Sequence, residues 1–277
     1  MVKQPLVSVI IPSFNQASFI EETILSVLKQ NYSNIELIVI DGASNDGTVE
    51  ILKKYNKHIT FFISEPDFGQ TDAIIIGFER ARGEYITWLC SDDILEPSSI
   101  SLSVAFLEKF PDAVLSFGNR IRIDARGNTI GFSRYGKFNK WHLKFGLTIP
   151  QETILIRRSA YEKIKGLDKN LHMAMDFDLW CQLAKAGSFV HIPAYLGRFR
   201  SHDKNKSSIY NTEYRLSGFS TGKPGEFAGV MIMHFKRMPT AFTQNLASKM
   251  RMIQHFFERR TRSYKACVKF VRQIQKH

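Results

Sequence analysis

The chain has 277 residues, 44% hydrophobic and 23% charged, the composition of an ordinary globular protein with a sizeable core rather than of a disordered one. Its formal charge of +12 would point to a nucleic-acid partner if spread evenly. However, residues 201–277 hold 15 Lys and Arg against 4 Asp and Glu, leaving 23 against 22 in the first 200.

The first apolar run, Leu6–Ile11, is short and β-branched, as is Ile35–Ile40; between them Phe19, Ile20, Ile24, Val27 and Leu28 recur at helical spacing within 18–30. Strand, helix, strand at this spacing predicts a βαβ unit with parallel strands. The alternation continues with a helix over Ser44–Tyr55 that Ser44 or Asn45 can cap, a strand at Ile59–Ile63, a helix over Thr71–Arg82 and a strand at Glu84–Leu89. Such a doubly wound, mainly parallel α/β sheet with flanking helices binds ligands beyond the carboxyl ends of its strands. Each of the four ends carries a polar cluster: Ser13-Phe14-Asn15, Asp41-Gly42, Glu65-Pro66-Asp67 and Ser91-Asp92-Asp93.

A helix at Pro97–Phe110 follows, then a strand at Ala113–Gly118 and a turn at Ala125–Asn128 that predict an antiparallel excursion. Gly131–Pro150 reads as loop. A helix near Asp176–Lys185 and a strand at Phe189–Ile192 return to the sheet. After Ser208, GFSTGKPGEF reads as a linker and the rest as two or three basic helices. The expected division is a near-neutral body, residues 1–208, and a basic, mostly helical appendage, residues 209–277.

Cys90, Cys181 and Cys267 are odd in number, far apart and form no CxxC pair, which argues against a disulfide framework or structural zinc site and fits a reducing compartment. Residues 1–14 lack the layout of a secretory signal, and no apolar run approaches the roughly 18 residues of a membrane span. A cytoplasmic location is expected, free or bound at the inner face of a membrane.

Asp92 and Asp93 end an apolar strand, and hard carboxylate oxygens suit Mg²⁺ or Mn²⁺ with substrate phosphates completing the shell. In isolation the same Ser-Asp-Asp could simply cap a helix. Asp41 can accept hydrogen bonds from a base or ribose, or its Asp-Gly can serve only as a turn. Phe14 can stack on a base or join the core. Asp176, in MAMDFDLW, lies at a helix start where a carboxylate can either take a proton from a hydroxyl or cap the helix, with Asp178 as a second candidate. His202 can ligate a metal or phosphate, although a lone His usually does neither. No GxxxxGK[ST], GxGxxG or GxSxG occurs.

Together VSVIIPSFNQASFIEETILSVLKQNYSNIELIVIDGASNDGT, SEPDFGQTDAIIIGFERARGEYITWLCSDD, MAMDFDLWCQLAKAG and FRSHDKNKSS resemble the family 2 glycosyltransferases of the GT-A fold over about Val7 to Ser208. The resemblance implies inverting transfer of a sugar from a nucleotide diphosphate sugar, a UDP-sugar first, to a glycan or lipid-linked acceptor, with Mg²⁺ or Mn²⁺. Bacterial surface polysaccharide assembly is the setting it suggests. It places Pro12, Ser13 and Phe14 beside the base and Asp41 on the nucleoside. Asp67, Gly69, Gln70 and Asp72 fall in the second donor-side loop, and Asp92 and Asp93 at the metal, Asp93 being the direct ligand. Asp176 is the base, Arg200 and His202 lie near diphosphate and metal, and Gln151 and Glu152 on the acceptor side. Two positions depart from the pattern: Cys90 stands where an acidic residue often begins the metal motif, and Met175 where a Glu often precedes the base.

Two rival classes are a sugar nucleotidyltransferase, which needs a basic phosphate-activating loop that the first 100 residues lack, and a non-catalytic nucleotide-sugar-binding protein. The tail, with stretches such as MRMIQHFFERRTRSYKACVKFVRQ, suits either an anionic membrane surface or a helix pair packed on the body. Nucleic acid is not expected, since no binding module accompanies the charge.

Overall fold

A computed structural model of the chain describes residues 4–146 and 148–206, together with Val230, Met233, His234, Val271, Gln273, Ile274 and Gln275. The predicted linker and most of the basic appendage lie outside these residues.

The body is one mixed sheet of nine strands with helices on both faces. β1 (Val7–Ser13), β2 (Ile35–Asp41), β3 (Phe61–Ser64) and β4 (Tyr85–Trp88) are parallel and lie in the order β3-β2-β1-β4. They are joined by α1 (Ile20–Leu28), α2 (Thr48–Lys54) and α3 (Gln70–Arg80). β1 is buried along its whole length, which is why its sequence is apolar apart from Ser8, whose hydroxyl donates to Glu36, and Ser13 at its end. Period-two alternation divides its side chains between two core layers: Val7, Val9 and Ile11 pack with α1, α2 and α4 (Ser99–Lys109), while Ile10 packs with α3 and α6 (Met175–Ala186). Position 77 of α3 is Gly because the helix crosses β1 so closely that a Cβ there would lie 2.4 Å from Ile10 Cγ2.

The second half departs from the parallel pattern. β6 (Ala113–Ile123) and β7 (Thr129–Ser133) form a hairpin whose turn is held by the Asp124 carboxylate, which accepts from the backbone N–H of Arg126 and Asn128. β8 (Leu155–Arg157) runs antiparallel between β4 and β6, and β9 (Ser188–Arg200) runs parallel to β6. The two-residue β5 (Ile94–Leu95) pairs antiparallel with β9, fastening the segment after the fourth parallel strand to the far end of the sheet. The short helix α5 (Arg158–Tyr161) follows β8.

Two local expectations change. The second helix begins at Thr48 behind Gly47 (φ 99°), not behind Ser44 or Asn45: the Ser44 hydroxyl oxygen already accepts from the Asn15 N–H at 2.8 Å, and the Thr48 N–H donates to Asp46 Oδ1 at 3.0 Å. The start of the stretch read as loop, residues 131–133, belongs to the edge strand of the hairpin, Thr129–Ser133. Among the described residues no helix is long and apolar enough to cross a membrane.

Candidate active site

The carboxyl ends of the parallel strands open into a cleft of about 1070 Å³. One wall is Pro12, Ser13 and Phe14 at the end of β1, with Gln16, Gly42, Asp67, Gly69 and Gln70. Ser13 Oγ and Gln16 Oε1 are buried without a hydrogen-bond partner among the described residues. Phe14 is 60% exposed. Gly69 has φ 103° at the start of α3, a left-handed conformation that a side chain would strain, and its N–H donates to Asp67 Oδ1 at 2.8 Å. The Asp67 carboxylate lies over Gly42, where an added Cβ would come within 3.0 Å of it.

The floor is the segment after β4, where Cys90, Asp92 and Asp93 offer ligand atoms all within 4.8 Å of one another. Its conformation is locked from both sides. The buried Thr23 hydroxyl of α1 lies 2.9 Å and 2.8 Å from the carbonyls of Ser91 and Asp93. The Arg200 N–H at the end of β9 donates to Asp93 Oδ1 at 2.9 Å. Burial raises the Asp93 pKa well above the ordinary carboxylate range, and the nearby Asp92 and Glu152 add to the rise against that N–H and the Arg120 charge. A buried carboxylate pressed by two others is a group that a divalent cation would relieve, and the hard oxygens of Asp92 and Asp93 suit Mg²⁺ or Mn²⁺. Cys90 is held as a neutral thiol, chiefly by burial and then by the same carboxylates. Its sulfur accepts from Gln70 Nε2 at 3.2 Å and lies 3.4 Å from Gln151 Oε1.

The opposite wall brings Asp176, at the start of α6, to the same cleft as Gln151 and Glu152. Burial raises the Asp176 pKa, while the Phe177 N–H donates to its Oδ1 at 2.7 Å and pulls the other way. Gln151 is aimed by donating from Nε2 to the Trp88 carbonyl at 2.7 Å. Glu152 is buried and holds Arg120 through two bonds of 2.6 Å and 2.5 Å. Burial opposes the Arg120 charge, but the Glu152 carboxylate outweighs it and raises the guanidinium pKa.

Four of the anticipated residues do not line this cleft. Asp41 is fully buried; its oxygens accept from Ser44 N–H at 2.9 Å, Ser44 Oγ at 2.6 Å and Ser64 Oγ at 2.7 Å, so they are spent inside the protein rather than turned to a nucleoside. Asp72 accepts from the Phe68 N–H at 3.2 Å. Arg200 is buried behind the floor, donating to the carbonyls of Asp92 and Ala125 at 2.8 Å and 3.3 Å, pairing with Glu22 and lying over the Phe19 ring; it props the floor instead of reaching the cleft. His202 also sits on Phe19, with Nε2 3.0 Å from Asp92 Oδ2, so it stands behind that carboxylate. The cations that do line the cleft are Arg120, Lys204 and Lys206, none of which the sequence singled out. Lys206 donates to Gln70 Oε1 at 3.2 Å. The Lys-rich KNK stretch beside His202 was the available signal.

Residues 8–165 match the family model of glycosyl transferase family 2. The chain belongs to that family. A glycosyltransferase of Haemophilus influenzae, named as uncharacterised, is 30% identical over 226 residues, covering 76% of this chain and 69% of that protein. In fold, this glycosyltransferase is similar to S. aureus TarS 1–349, solved in complex with UDP-GlcNAc, at a TM-score of 0.66 and 15% identity over 90% of this chain and 71% of that one. It is also similar to the Pyrobaculum calidifontis mannosyltransferase PcManGT, solved with GDP-Man and Mn²⁺, at a TM-score of 0.60 and 15% identity over 100% of this chain and 82% of that one. The fold is that of GT-A glycosyltransferases.

Proposed function

We propose that this glycosyltransferase moves a sugar, with inversion, from a nucleotide diphosphate sugar to an acceptor hydroxyl. The observation that carries the reading is the convergence on one cleft of the Asp92–Asp93 pair from the end of β4 and Asp176 from the start of α6. The donor lies along Pro12, Ser13, Phe14, Asp67, Gly69 and Gln70, where the unpartnered Ser13 Oγ and Gln16 Oε1 gain partners and the exposed Phe14 ring meets the base. Lys204 and Lys206 take over the diphosphate role expected of Arg200.

Asp92 and Asp93 would hold Mg²⁺ or Mn²⁺, with His202 orienting Asp92 or joining them. When bound, the ion supplies positive charge where the departing diphosphate becomes more negative. Asp176 accepts the proton of the attacking hydroxyl as the new bond to the anomeric carbon forms and the bond to the diphosphate oxygen breaks. Its raised proton affinity suits a base working near neutral pH. Gln151 and Glu152 orient the acceptor, read as a glycan or lipid-linked sugar in bacterial surface polysaccharide assembly.

UDP-sugars are the first donors to test, supported by the UDP-GlcNAc complex of TarS, with GDP-mannose second. A thermal-shift panel of UDP-GlcNAc, UDP-glucose, UDP-galactose and GDP-mannose with and without Mn²⁺ is the test. A ligand at about 100 times its Kd stabilises by about 2.7 kcal/mol, a rise of several degrees. No shift with any of the four would contradict the donor assignment. We read residues 1–208 as the transferase body, working in the cytoplasm, and 209–277 as an appendage whose Lys and Arg meet an anionic inner membrane face. Failure of the full chain to co-sediment with anionic liposomes would remove that last part.

A further inference from the structure

Two described residues from the C-terminal part of the chain, Val230 and His234, lie against the layer that includes the helix carrying Asp176. Val230, Met233 and His234 are helical, and Val230 and His234, four residues apart, share one face. Val230 is 1% exposed within the core layer built by α3 and α6, whereas Met233 is 63% exposed on the other side. His234 Nε2 lies 2.7 Å from Asp178 Oδ1, with both side chains 5% exposed, and His234 Nδ1 lies 3.0 Å from Lys185 Nζ. An ammonium only donates, so Nδ1 accepts and Nε2 bears the hydrogen given to Asp178. The other Asp178 oxygen accepts from Gln182 Nε2 at 2.7 Å. One imidazole therefore ties Asp178 to Lys185, two turns apart on a helix of 12 residues whose second residue is Asp176.

We propose that His234 is a positioning residue for the reaction: by bridging Asp178 and Lys185 it fixes the rotation and seat of α6, and with them the Asp176 carboxylate. The inference rests on the reading of Asp176 as the base. Asp178 is buried and needs both partners; without the imidazole its carboxylate must find another donor or turn towards water, and the first turn of α6 turns with it. A base displaced by about 1 Å loses rate far more than the donor seat loses affinity, because that seat lies across the cleft on β1 and α3.

The test uses the full chain and whichever of UDP-GlcNAc, UDP-glucose, UDP-galactose and GDP-mannose the wild type hydrolyses fastest with Mn²⁺, together with UDP binding by calorimetry. His234→Ala is expected to lower kcat at least tenfold while KM for the donor and Kd for UDP stay within twofold. His234→Gln, which can still donate and accept, is expected to recover most of that loss. Should His234→Ala prove insoluble, Lys185→Met breaks the exposed half of the bridge and is expected to lower kcat about threefold. A kcat within twofold of wild type in His234→Ala, or unchanged in Lys185→Met where that variant replaces it, overturns the proposal. So does a loss of UDP affinity in step with kcat, or a His234→Gln variant as slow as the Ala variant. Asp176→Asn in the same assay separates the two levels: if it is inactive and His234→Ala is normal, only the positioning role falls; if it is fully active, the base assignment falls first.

Discussion

Asp93 and Asp176 are both carboxylates with raised proton affinity, yet their surroundings separate their tasks. Burial raises both, but only on Asp93 do neighbouring carboxylates, Asp92 and Glu152, add to the rise, which suits the proposed cation there and the proposed proton acceptor at Asp176. Asp176→Asn is therefore expected to lower transfer by about 10² to 10⁴-fold, with nucleotide affinity unchanged in calorimetry. The pH profile of wild-type kcat carries the same signature. A base must be ionised to act, so activity falls on the acid side, and because the folded pKa is raised the fall sets in above the ordinary carboxylate range; an acid limb centred near pH 4 would count against Asp176. Strand-end position made Asp92 and Asp93 candidates in the sequence, a helix start did so for Asp176, and the structure brings all three to one cleft. Direction was not legible. Asp41 and Arg200 are polar at the right ends, but Asp41 turns inward because Ser44 and Ser64 supply its donors, and Arg200 is captured by Glu22 and the floor carbonyls. Arg120 was missed because it sits within a strand and faces the cleft only through the pleat of β6 against Glu152.

At the scale of elements, the alternation in the first 90 residues was readable because β1 and β2 are rich in β-branched residues, β3 and β4 are short and aromatic-rich, and each helix between them keeps an apolar stripe. Three-residue β8 and two-residue β5 carry too few side chains to show a period, and β9 extends eight residues past Ile192 through Pro193, where the sequence suggests a stop. What binds the parallel half together is testable. Gly77→Ala drives a methyl into Ile10 and is expected to cost about 1–3 kcal/mol in urea unfolding. Glu36 of β2, almost fully buried, accepts from the Ser8 hydroxyl at 2.5 Å, the Arg82 N–H at 2.6 Å and the Gly83 N–H at 3.1 Å. Burial works to raise its pKa, but those donors and the Arg82 guanidinium outweigh it and hold it below the ordinary value of 4.5. A depressed carboxylate stabilises above the unfolded pKa, and that contribution fades as pH falls through the folded pKa. Glu36→Gln is expected to cost on the order of 2–3 kcal/mol at pH 7, with the gap to wild type closing below about pH 4. A gap independent of pH would contradict this role.

For the whole molecule, the charge split predicts a body and a separate appendage, and composition could not show that the appendage also holds the body. Val271 is 6% exposed among Leu102 and Phe106 of α4 and Ile192 and Leu196 of β9, and Val230 is buried on the opposite layer. These contacts favour helices packed on the body for the residues described, whatever the basic side chains do outside. Removing the tail after residue 208 uncovers both sites, each worth about 1.5–3 kcal/mol per buried valine. The truncated chain is expected to unfold several degrees below the full chain in a thermal scan, and equal midpoints would mean that the docking is energetically empty. The central claim is that one cleft divides its work between Asp93, which holds the donor through a divalent cation, and Asp176, which takes the acceptor proton. Calorimetric titration of UDP into the wild type, Asp93→Asn and Asp176→Asn, each with Mn²⁺ and with EDTA, tests it most directly. The account predicts Mn²⁺-dependent binding that Asp93→Asn loses and Asp176→Asn keeps; equal binding in all three, with or without metal, would contradict it.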